Sequence, residues 1–114
     1  MPFRTLSTLQ TWVDDFTALG YDTGILRVIP QETDEDDDTG LIAAKLRSVS
    51  TTFFVAPEAG PDGTRWSVTF EPREDAAPLP GGRVMALSAE LAMLSALCAF
   101  LQSRSEAFVA AAAS

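Results

Sequence analysis

The chain has 114 residues, one cysteine and no histidine, with sixteen acids against eight bases and a net charge of −8. That length suits one domain that buries roughly two-thirds of its unfolded surface, so folding requires neither a metal nor a disulfide. The charge disfavours a generic nucleic-acid binder. The missing histidine removes the commonest general base, the usual zinc ligand and any Ser-His-Asp or Cys-His arrangement.

The opening segment, MPFRTLSTLQ, has no charged-then-apolar leader pattern, and a single cysteine forms no internal disulfide, so the expected compartment is the cytoplasm. The first helix is expected from about Leu6 to Leu19, where Leu6, Leu9, Val13, Phe16 and Leu19 recur at three and four residues. Ser7 with Gln10 fits a capping box, and Thr5 is a rival start. Gly20 supplies a left-handed cap, and Tyr21 can fold back onto the last turn. Trp12 flanks the apolar stripe, while Asp14 and Asp15 face water.

A strand follows over Gly24 to Pro30, ended by a proline that cannot donate to a ladder. Residues 31–40 (QETDEDDDTG) read as a solvated acidic loop, holding six of the sixteen acids. Asp34, Asp36 and Asp38 alternate like calcium ligands, but Thr39 stands where an EF-hand needs glycine and Lys45 where it needs a bidentate Glu, so no metal site is expected. Residues 41–48 (LIAAKLRS) suit either helix or strand. The β-rich VSTTFFV that continues them favours strand.

Thr64 to Phe70 alternates cleanly and is expected to pair with Thr51–Val55 across a turn formed by PEAGPDG. Pro72 to Gly82 reads as a connector and Arg83 to Leu87 as a short extra strand. Ser88 then caps a last helix running to about Phe108, with Glu90 in its first turn. The apolar run from Val84 to Leu101 is 18 residues long, but Glu90 inside it makes a buried soluble helix the better reading than a membrane span. No internal repeat is present.

These elements predict an α+β domain over residues 1–110 with a frayed tail at 111–114. Its architecture is a two-layer sandwich, in which a three- to four-stranded antiparallel sheet has the N-terminal and the long C-terminal helix packed on one face. The expected core is Leu9, Val13, Phe16, Leu26, Val28, Ile42, Leu46, Phe53, Val55, Trp66, Val68, Phe70, Leu91, Leu94, Leu97, Cys98 and Leu101. Cys98, in an apolar run with no basic neighbour, reads as a small buried hydrophobe.

Two surfaces stand out. Around the last helix, Ser88, Ala92, Ser95, Ala99 and Gln102 form a strip of small residues with no charge until Glu106, suited to close approach of a second helix. On the sheet, the alternates of Trp66, Val68 and Phe70 put Lys45, Arg47 and Arg65 on the outer face. Arg27 and Phe54 join them, a mixed basic and apolar surface on an acidic protein. Neither GxxxxGK[ST] nor GxGxxG occurs, and no cofactor is expected. The candidate catalytic carboxylates, Asp14, Asp15, Glu58, Glu71 and Glu90, define no cleft. The expected function is therefore that of a non-catalytic interaction or regulatory protein, as a homo-oligomer or with a protein partner, without nucleic acid or membrane. A ligand-binding domain with a pocket between helices and sheet is the alternative, and a carboxylate-dependent enzyme stands behind it.

Overall fold

The computed structural model describes residues 2–30, 40–49, 51–61, 63–70 and 78–113. The acidic segment 31–39, and residues 72–77 of the expected connector, lie outside the described residues. A single 3-10 turn at Pro2–Arg4 leads into α1 (Leu6–Ala18), followed by β1 (Leu26–Ile29), β2 (Leu41–Lys45), β3 (Thr52–Gly60), β4 (Gly63–Phe70) and α2 (Gly81–Ala113). The strands form one antiparallel meander in the order β1-β2-β3-β4, with both helices on one face. The fold is thus an α+β sandwich with one open sheet face, as the patterning predicts.

Thr5, not Ser7, caps α1: its hydroxyl accepts the Thr8 N–H at 3.2 Å, which places Ser7 inside the helix. Gln10 is not part of a capping box and donates to Asp14 at 3.0 Å. At the other end Gly20 sits at φ +105°, where a side chain would be strained, and Tyr21 folds back to stack on Phe16 with ring centroids 4.1 Å apart.

The strand register sorts side chains by alternation. Leu26, Ala44, Phe53 and Phe70 lie in one inward row, and Val28, Ile42, Val55 and Val68 in the next. The 41–48 ambiguity resolves as β2 followed by a bend, with Leu46 and Ser48 buried. The hairpin is tighter than its sequence suggests, because Pro57 to Gly60 extend β3 rather than forming the turn. Pro57 is tolerated there for a geometric reason. Its partner Trp66 points its N–H away from β3, so the pair exchanges no ladder bonds, and β2 has already ended opposite Val55.

No strand forms at Arg83–Leu87. α2 starts at Gly81, where the Arg83 and Val84 N–H groups donate to the Pro80 carbonyl at 2.9 and 3.1 Å. Ser88 is therefore not the N-cap, Glu90 is not in the first turn, and the helix continues past Phe108 to Ala113. At 1.5 Å per residue its 33 residues span about 50 Å, matching the 51 Å long axis of the molecule.

Leu94, Leu97 and Leu101 of α2 meet Leu9, Val13 and Phe16 of α1 over Ile42, Ala44, Phe53 and Val55. Trp12 does not merely flank the stripe. It is 7% exposed and joins Phe3, Trp66 and Phe108 in an aromatic cluster with centroids 6.1 to 6.5 Å apart. Leu26, Val28, Val68, Leu91 and Cys98 are only half-buried. Phe70 is 61% exposed despite facing inward, because it ends the edge strand and lies flat on Phe53 at 4.3 Å.

Candidate functional site

α2 carries two different faces. On the inward one, the Glu90 carboxylate accepts the backbone N–H groups of Arg47 at 2.8 Å and Ser48 at 3.1 Å, fixing the bend after β2. Burial pushes this carboxyl up. The hydrogen bonds from Ser48 and Arg47, with the Arg47 charge, outweigh that and leave it below its ordinary range. Further along, Ser105 donates to the Leu101 carbonyl at 2.7 Å and accepts the Trp66 indole N–H at 2.7 Å.

Gln102 belongs to this anchored set. Its Oε1 accepts the Trp66 backbone N–H at 3.0 Å, and its Nε2 donates to the Thr64 carbonyl at 3.1 Å. One side-chain amide thus occupies the outer edge of β4 as a neighbouring strand would. Of the five strip residues, Ser88, Ala92, Ser95 and Ala99 are exposed, with no side-chain hydrogen bond among the described residues, while Gln102 is committed to β4. Met85, 73% exposed, and Ser103 extend the outward face at either end. Nothing local marks Gln102 as an edge cover. Its partners lie 36 and 38 residues away.

Among the described residues, no element covers the outer face of the sheet. Arg27, Ala43, Phe54 and Thr69 form one cross-strand row, the pairs Ile29–Leu41 and Ala56–Ser67 lie beyond it, and Lys45 lies opposite Thr52. Arg27, Lys45 and Arg65 are exposed and Phe54 is half-buried. Arg65 stands at the far end, paired across the ladder with Glu58. Arg47 follows β2 in the bend and meets Asp22 at 3.0 Å. Hydrogen bonds from the Gly24 backbone and from Arg47 hold the Asp22 carboxyl below its usual range. A depression of about 510 Å³ opens here, lined by Ile25, Arg27, Ala43, Lys45, Arg47 and Thr52 among others.

Between the end of α1 and α2 lies a second depression of about 320 Å³, with Tyr21, Asp22, Ile25, Arg47, Glu90 and Met93 on its walls. Its ionic groups are already occupied, Asp22 by Arg47 and Glu90 by the bend. Cys98 is half-buried, and burial pushes its thiol up. Among the described residues no three Cys, Asp or Glu side chains come together as a metal site. Asp14 is exposed, Asp15 pairs with Arg104 at 3.1 Å and Glu58 lies on the sheet face, so these carboxylates do not converge with Glu90.

Fold and surfaces together define a two-layer α+β sandwich that offers an open basic-apolar sheet face and a long, largely uncharged helix face. Comparisons with protein families, with curated proteins and with solved structures yield no match.

Proposed function

We propose that this chain is a non-catalytic interaction protein that acts as a homodimer joined along the outward face of α2. The observation that supports this most strongly is the mismatch between what α2 is made of and how little of it is covered. By length and composition the helix is apolar enough to cross a membrane, yet only 17% of its most apolar 18-residue stretch is buried. A helix face that meets water normally carries charge. This one runs from Met85 through Ser88, Ala92, Ser95 and Ala99 to Ser103 without any.

Small side chains let a second helix axis approach closely, and a two-fold axis pairs the strip with itself in antiparallel sense. From Met85 to Ser103 the strip is about 28 Å long and about 10 Å wide, or about 280 Å² per copy, so a specific interface of about 1,000 Å² in all must also take in exposed parts of α2 beyond it, out to Gly81 and Ala113. A bilayer is the poorer occupant. Withdrawing α2 into lipid would strip Leu94, Leu97 and Leu101 from the core, and a net charge of −8 is repelled by anionic headgroups.

Light scattering on the wild type and on the double variant Ala92→Arg, Ala99→Arg tests this reading. A wild-type dimer that becomes a monomer with unchanged circular dichroism supports it. A monomeric wild type, or a dimer indifferent to both arginines, refutes it.

A further inference from the structure

We infer that the open sheet face is a docking site for an acidic, extended segment of a partner protein, held by Arg27 and Lys45 beside the apolar platform of Phe54. The argument begins with the register. Arg27 lies opposite Ala43, and Lys45 is two residues further along the same face of β2, so the two cations are diagonal neighbours across β1 and β2. Like charges that close on a sheet repel, and each is exposed with no carboxylate partner among the described residues. Arg47 adds a third cation to the rim of the same depression, with part of its charge answered by Asp22.

This arrangement is unusual for its setting. The chain as a whole carries sixteen acids to eight bases, yet among the described residues no acid lines this depression. An anionic occupant satisfies both cations together and relieves their repulsion. The neighbouring surface specifies more than charge. Ile29, Leu41, Ala43, Phe54 and Ala56 form a half-buried apolar floor across three strands, which a simple inorganic anion leaves uncovered. A peptide presenting carboxylates at one end and an apolar side chain at the other fits both. Nucleic acid fits poorly, because two or three cations neutralise few phosphates and the rest of the chain repels the backbone.

The site is separate from the α2 strip, so its failure leaves the dimer reading untouched. The probe is a short fluorescein-labelled peptide with aspartate and glutamate at one end and one phenylalanine at the other, followed by fluorescence anisotropy at low salt. The double variant Arg27→Glu, Lys45→Glu is expected to weaken binding by about tenfold or more, since two exposed charge pairs are each worth up to a factor of about five. Arg83→Glu with Arg104→Glu, which changes net charge equally on α2 and away from the sheet face, is expected to retain most of it. Arg27→Gln with Lys45→Gln serves in place of the reversal if that variant does not fold. Absence of saturable binding, or equal loss in both double variants, overturns the proposal. So does displacement of the peptide by inorganic phosphate at equal concentration, which would mark a site for small anions. Unchanged affinity for a peptide whose phenylalanine is replaced by glycine would remove the role of Phe54 and overturn the proposal in the form given.

Discussion

Glu90→Ala is expected to destabilise the fold by about 2 kcal/mol. The carboxylate holds two backbone N–H groups, and hydrogen bonds to a charged acceptor contribute about 1.5–3 kcal/mol each. The Arg47 donor is exposed, so water replaces most of its bond; Ser48 is buried, and its partly buried N–H keeps most of the loss. Alanine is also the better helix former, which offsets a few tenths of a kcal/mol. The folded carboxyl titrates below its ordinary value, so its contribution is complete above the unfolded pKa and disappears as pH falls through the folded one. The gap between variant and wild type is therefore full at neutral pH and closes in acid. Urea unfolding followed by the fluorescence of Trp12 and Trp66, both buried, measures it across that range at fixed protein concentration. A neutral-pH difference within about 0.3 kcal/mol of zero, or one that does not change with pH, refutes the clamp.

Gln102→Leu keeps side-chain bulk but leaves the Trp66 N–H and the Thr64 carbonyl without their partner. A loss of about 1–2 kcal/mol in urea unfolding and concentration-dependent scattering from the opened edge are expected. Cys98, half-buried with its thiol pushed up, should react slowly with a thiol reagent in the native protein and rapidly in urea; equal rates would place it on the surface.

Much of the fold is legible because it rests on local periodicity. The stripe from Leu9 to Phe16 and the alternation of Trp66 and Val68 state which face turns inward, and the register agrees. The misread positions share a different cause. Ser88 and Glu90 look like a helix start because a carboxylate near an N-cap is favourable there. In fact Glu90 answers to donors 42 and 43 residues earlier. Phe70 obeys the alternation, yet its burial depends on where the helices stop. Trp12 lies at the margin of the α1 stripe and is buried only because Phe3 and Phe108 arrive from elsewhere. The candidate surfaces were legible for the same reason as the core: each is the complement of a periodic apolar face. What the sequence could not reveal is that Gln102, in register with the strip, turns toward β4.

The contact of Phe3 with Phe108 has a consequence for biosynthesis. One cluster joins the beginning of the described chain to the end of its last helix, and α2 supplies three of the most deeply buried leucines. While the chain is being made, the strands emerge with only α1 to lie on their inner face, and Leu94, Leu97 and Leu101 are still missing from the core around Ile42, Phe53 and Val55. Native packing must wait until α2 has left the ribosome, so folding is late and concerted. A chaperone that holds the nascent sheet has its whole period of usefulness in that interval.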